Sequence, residues 1–223
     1  FCIPTTIEVN VNERQAGEKF AIKFPNTDSY LYRVGNQNTV SLGSLFGAID
    51  GVTVGNVKAN IEKISGNATG TYTANATWTN GTIQFSGTGV VKVTITDNDY
   101  CTPTELTLEV VDAVNTTGAT SATANNVVLL NDCGFSSLEV SGGYTLYGNG
   151  FTMTCGSDSA ALDMGYAFVT LNNGTLDNVQ IVCPNFDYAV LYKSNMTESG
   201  NRSQTTDRTR YYNVKSGVMV SGN

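Results

Sequence analysis

The sequence predicts an all-β chain in two parts. An antiparallel β-sandwich covers residues 1–113, a linker covers 114–126, and stacked repeating coils of short strands cover 127–223. Three observations carry this reading. Short runs of alternating apolar and polar residues recur along the whole chain, broken by Gly, Asn or Asp, with no long helical pattern. Charged residues make up only 14% of a chain that holds 23 glycines, a composition suited to β-rich extracellular modules with many turns. Finally, residues 144–190 repeat themselves. Thr145-Leu146 returns as Thr175-Leu176, and FTMTC (151–155) returns as VQIVC (179–183), at similar but not identical spacings. A repeat of about 20–50 residues argues for units that bury a face only against their neighbours.

In chain order, alternation marks strands at 6–11, 20–24 and 30–34. After a Gly-rich middle come 52–57, 59–64, 71–78, 82–85, 90–96 and 105–111. Many short strands with no helix between them signal an antiparallel sandwich. Residues 115–126 (NTTGATSATANN) hold no strong apolar side chain and read as the linker. The coils begin at Val127 with VVLLNDC and run through SSLEVSGGYTLYGNG and FTMTCGSDSAALDMGYAFVTLNNG to FDYAVLYKS.

Two stretches resemble known families. The segment 89–99, GVVKVTITDND, followed by ELTLEVV at 105–111, resembles the closing hairpin of bacterial Ig-like and PKD-type domains. Tyr100-Cys101 replaces the usual turn glycine, so the turn is longer or pinned by a disulfide. In such sandwiches the first strand often runs parallel beside the last. That resemblance implies a Cys2–Cys101 bridge closing a loop of about 100 residues, for about 4–5 kcal/mol in the chain-entropy picture, in an oxidising compartment. The alternative is two unrelated thiols. The repeats of the second part resemble the right-handed parallel β-helix of pectin-lyase-like proteins, whose coils typically read x-T-L-x-N-V-x-I. Fold alone does not assign function, because enzymes, adhesins and fibres share it. Cys155 and Cys183 fall at equivalent places in successive coils and are expected to stack; Cys133 matches the coil before loosely.

Composition excludes several chemistries. The chain has no histidine, which removes Ser-His-Asp and Cys-His catalysis and His-ligated metals. Its five cysteines lack CxxC spacing, so a zinc site is not expected, and the odd count leaves at least one outside any internal pair. A net charge of −7 without a basic stripe argues against nucleic acid. No run of about 20 apolar residues spans a membrane. Asp97 and Asp99, with Asn98 and Asp112, are calcium candidates, although such adjacent residues also form plain Asx turns. Seven sequons, at Asn67, Asn75, Asn80, Asn115, Asn173, Asn195 and Asn201, are glycosylation candidates in a secreted chain; an Asn- and Thr-rich sequence also generates such triplets by chance.

Residues 194–210 (SNMTESGNRSQTTDRTR) read as a loop of about 17 residues interrupting the coils, where Arg202, Asp207, Arg208 and Arg210 form a candidate binding loop or a solvated excursion. The coils then stop at VMVSGN as an open sheet edge, and the chain starts at Phe1-Cys2 as a processed product would. The expectation is therefore part of something larger, with other protein subunits or the continuation of the same chain as partners.

The leading expectation is a non-enzymatic structural or adhesive module, extracellular or at a cell surface, without cofactor. The second is a carbohydrate-binding module, drawing on Tyr144, Tyr147, Tyr166, Tyr188, Tyr192, Tyr211 and Tyr212, or a non-catalytic part of a polysaccharide lyase or glycosidase. The charged candidates for catalysis, Asp163, Asp177, Asp187, Lys193, Arg208 and Arg210, do not recur at matching positions in successive coils, and hydrolysis needs paired carboxylates.

Overall fold

A computed structural model describes residues 32–36, 39–47, 57–97, 101–118, 121–135, 137–155, 167–183, 188–193, 205–207, 210–212 and 218–221. These residues are mostly β-strand, with few in helices. The strands expected at 6–11, 20–24 and 52–57 fall outside the described residues, apart from Val57.

The first region holds two sheets. Strands β1 (Tyr32–Gly35), β3 (Lys58–Lys63), β6 (Gly89–Asp97) and β7 (Cys101–Val111) form one in the order β1-β7-β6-β3. Strands β2 (Thr39–Ser41), β4 (Thr69–Thr73) and β5 (Thr82–Ser86) form the other in the order β2-β5-β4. All pairs are antiparallel except β1 with β7, which is parallel. Period-2 alternation turns Val91, Val93 and Ile95 of β6 and Ile83 and Phe85 of β5 inward, where they join Leu108, Val110 and Trp78 in one core. The hairpin expected over 89–111 is present, with Gly89 opposite Val110 and Val93 opposite Leu106. Its last strand starts at Cys101 itself, opposite Asp97, with a register irregularity between Ile95 and Asp97.

Two local readings are corrected. The Gly-rich middle contains a five-residue helix, α1 (Leu42–Phe46), started by Ser41, whose Oγ accepts a hydrogen bond from the Ser44 backbone N–H at 3.1 Å. Leu42, Leu45 and Phe46 are buried, so core packing rather than helix propensity sustains so short a helix. The strand expected at 71–78 ends at Thr73, and Trp78 sits instead in a 3₁₀ turn (Trp78–Asn80) that drops its indole into the core.

The second region is a stack of parallel strands. The chain visits three sheets in turn: β9 (Val127–Leu129), β10 (Cys133–Phe135), β11 (Leu138–Ser141); then β12 (Thr145–Tyr147), β13 (Thr152–Cys155), β14 (Ala167–Asn172). It repeats with β15 (Thr175–Asp177), β16 (Gln180–Val182), β17 (Tyr188–Lys193), then β18 (Thr205–Asp207), β19 (Arg210–Tyr212), β20 (Val218–Ser221). The sheets run β18-β15-β12-β9-β8, β10-β13-β16-β19 and β11-β14-β17-β20, with β8 at Val114–Thr116. Thr145 lies opposite Thr175 and Met153 opposite Ile181, the same partners that the sequence repeat aligns. Leu146, Leu176, Met153, Ile181, Val169 and Val190 fill the interior.

Corners of the stack require unusual backbone. Asn149, Asn173 and Asn178 adopt φ of 51°, 57° and 54°, a left-handed conformation that Asn tolerates better than other side chains. Gly174 is fixed by contact: a Cβ there would stand 2.3 Å from the Val140 carbonyl oxygen of the preceding coil.

Described residues of the segment 114–126, expected as a linker, pair with the stack. β8 pairs in parallel with β9, and Ala122 is fully buried, its N–H donating to the Glu139 carbonyl at 3.1 Å. The segment lacked large apolar residues, but parallel pairing needs only backbone. Within and just after the expected loop at 194–210, Thr205–Asp207 and Arg210–Tyr212 are strands that continue their sheets.

Candidate functional site: an arginine junction between the two regions

The continuous apolar run VVLL (127–130) occupies the place where the regions meet. Val127 and Leu129 point into the stack, whereas Val128 and Leu130 belong to the core of the first region. A strand buried on both faces reads as an unbroken apolar run rather than an alternating one. Outward from the same sheet, Val128, Tyr147 and Asp177 stand in one column, because Val128 pairs with Tyr147 and Tyr147 with Asp177. Successive members are about 4.8 Å apart.

Arg33 of β1 lies along this column. Its guanidinium carbon sits 5.0 Å from the centre of the Tyr147 ring, its Nε donates to Glu109 of β7 at 3.0 Å, and its Nη1 donates to Asp177 of β15. The side chain of Arg33 is 21% exposed and that of Asp177 only 7%, so this pair works at much lower dielectric than a surface pair. The Arg33 backbone is gripped as well. Its N–H donates to Asn149 Oδ1 at 2.9 Å, and its carbonyl accepts from Asn149 Nδ2 at 2.8 Å. Asn149 Nδ2 also donates to the Leu129 carbonyl at 3.1 Å, so one side chain stitches β1 to two coils.

Neighbouring phenols complete the junction. Tyr32 packs edge-on against Phe151 with ring centres 6.4 Å apart. Burial pushes the Tyr32 hydroxyl far above its ordinary range, and a hydrogen bond with Asn149 opposes the shift. Burial also raises Tyr147, with the Arg33 charge pulling the other way. Glu109 and Asp177 share one guanidinium, so the side chain of Arg33 ties β1 to β7 and to β15.

The expected site residues are dispersed around this junction. Asp177, one of the charged candidates, is the ion partner of Arg33; Asp163, Asp187, Arg202 and Arg208 lie outside the described residues. Lys193, Asp207 and Arg210 are placed by backbone pairing alone, with Asp207 opposite Asp177 and Arg210 opposite Gln180, so Asp207 and Arg210 sit in strands rather than a loop. Of the tyrosines, Tyr144 and Tyr147 are partly buried and Tyr166 is outside the described residues. Asp97 ends β6, while Asp99 and Cys2 are not described. Cys155 pairs with Phe135, and the β13–β16 pairing ends with Thr154 opposite Val182, one residue before Cys183. Cys133 is opposite Met153 and does not share that column. It is a free, half-buried cysteine, its thiol pushed up to about 11 by burial and then by Asp132.

Arg33 itself escaped sequence reading, since a lone basic residue in an alternating strand looks solvent-facing. The signal that could have located its surroundings was the VVLL run. No protein family, curated protein or solved structure matches the chain.

Proposed function

We propose that this chain is a structural or adhesive module of a larger extracellular or cell-surface protein or fibre. In this reading an Ig-like antiparallel sandwich is carried on a right-handed parallel β-helix and acts by protein–protein contact. The observation that carries it is the junction. A guanidinium held by two carboxylates, an asparagine bonded to three backbone groups and a strand buried on both faces make the regions one stiff body. Stiff coupling is what a projecting or force-bearing module needs. Among the described residues, β18, β19 and β20 are the outer strands of the three parallel sheets at one end of the stack, a template for strand addition by another subunit or by further residues of the same chain. Light scattering across a dilution series, with negative-stain imaging, tests the reading. Ordered, concentration-dependent assemblies are expected, and a strict monomer at every concentration would overturn assembly through this chain.

One feature favours carbohydrate binding as a second reading. An open cavity of about 330 Å³ is lined by Thr39, Asn115, Thr116, Thr117 and Leu130, a hydroxyl- and amide-rich wall of the kind sugars use. A glycan array compared between the native chain and Thr39→Ala separates it from the first.

A further inference from the structure

We propose that Asn67, Asn75 and Asn80 carry N-linked glycans and that the sequon at Asn115 is left unmodified; this rests on the extracellular reading above. The sequons at Asn67, Asn75, Asn80 and Asn115 have the same local chemistry, Asn-x-Thr. Structure divides them three to one.

Asn67, Asn75 and Asn80 are exposed. Asn67 lies in the turn between β3 and β4, while between β4 and β5 Asn75 precedes the 3₁₀ turn and Asn80 is its last residue. Because β4 and β5 are antiparallel, with Thr69 opposite Ser86 and Thr73 opposite Thr82, Asn67 sits beyond one end of this hairpin and the other two beyond the opposite end. The fold leaves the nitrogen of Asn75 available: its Oδ1 accepts from the Ala76 N–H at 2.6 Å, and a sugar on Nδ2 keeps that acceptor. Glycans at these places bracket the three-stranded sheet at both ends.

Asn115 is the opposite case. Its Oδ1 accepts from the Gly35 N–H at 2.6 Å and its Nδ2 faces the Gly35 carbonyl at 3.5 Å, so the amide extends β1 pairing across to β8. Backbones are tight here, since a Cβ on Gly35 would stand 2.1 Å from the Ala113 carbonyl oxygen. A sugar on Nδ2 would pull the amide out and leave the Gly35 N–H without its acceptor. A chain modified at Asn115 would not reach this fold.

The modification is an exchange at carbon. The Asn amide nitrogen bonds to C1 of a lipid-linked oligosaccharide diphosphate, the C1–oxygen bond to phosphate breaks, the lipid diphosphate leaves with the electron pair, and one amide proton passes to a base of the transferase. The test is to secrete the chain from eukaryotic cells and treat the folded protein with peptide N-glycanase, which converts each glycosylated Asn to Asp. Peptide mass mapping should show conversion at 67, 75 and 80 and none at 115. Asn67→Gln, Asn75→Gln and Asn80→Gln should each remove one glycan, and Thr69→Ala or Thr82→Ala, which erase a sequon while keeping its Asn, should do the same at 67 and 80. Conversion at 115 in folded protein, or any one of the three wholly unconverted, overturns the proposal. Assembly of unglycosylated protein is read separately by light scattering, so failure here and failure of the structural reading are told apart.

Discussion

The two regions solve the same problem with opposite kinds of order. In the first, β6 meets β7 and β3 in antiparallel ladders, but β1 comes from far earlier in the sequence to lie parallel beside β7, Tyr32 against Leu108. Its partners follow no period. In the second, described strands pair with the equivalent strands of neighbouring coils, and some like residues lie in register: Thr145 with Thr175 with Thr205, Leu146 with Leu176. One region is specified by a single shared core, the other by repetition. A repeating stack is held coil to coil, whereas its union with the first region depends on a few residues of no repeat at all.

That union is the place to break the comparison. Arg33→Ala leaves Asp177 buried without its guanidinium, and loss of one partner from such a pair costs about 3–5 kcal/mol. Urea unfolding followed by fluorescence and by hydrogen exchange should change from one transition into two, one per region. A double-mutant cycle with Asp177→Asn should show coupling between the two sites.

Core truncations sharpen the contrast. Leu108→Ala in the first region and Leu176→Ala in the stack should each cost about 2–5 kcal/mol, since both side chains are fully buried. With Arg33 present, either change should lower the common transition. In the Arg33→Ala background each should shift only the transition of its own region, as read by hydrogen exchange.

Asn149→Ala removes three hydrogen bonds to backbone and forces a left-handed φ on alanine. A loss of about 1–3 kcal/mol is expected from the unsatisfied groups. Asn149→Gly keeps the backbone conformation, so the difference between the two variants isolates the strain.

A smaller effect is confined to the stack and depends on pH. Cys133 holds its proton up to about 11, above the ordinary 9.0, so the folded chain binds the proton more tightly than the unfolded chain. Stability from this group is complete below pH 9 and falls as pH rises from 9 to 11. Urea midpoints over that window should drop less in Cys133→Ser than in the native chain. Smallest of all, Lys92→Ala should leave the midpoint unchanged. Its bonds to Glu62 and Glu105, which hold the ammonium above its usual range, lie on an exposed sheet face screened by water.

Much of the stack was legible from two short matches, TL with TL and FTMTC with VQIVC, because each match puts apolar residues at the same inward register in successive coils. The other coils hid because their lengths differ. The step along the chain from Val127 to its partner Leu146 is much shorter than the step from Leu138 to its partner Val169. Hairpin β6–β7 was readable because its alternation is local. Helix α1 and β8 were not, since the first is held by tertiary burial and the second by backbone pairing that side chains do not advertise.

Alternation and repetition are properties of neighbouring residues, so they already carry the β character of the chain, the inward faces of β5 and β6, and the spacing of two coils. Long-range contacts add that β1 lies beside β7, that β8 joins the stack, that Asn115 bonds to Gly35, and that Arg33 meets Asp177. These contacts join positions far apart in the sequence or need no distinctive side chain. Their energy comes from burial and geometry that exist only once the chain has folded.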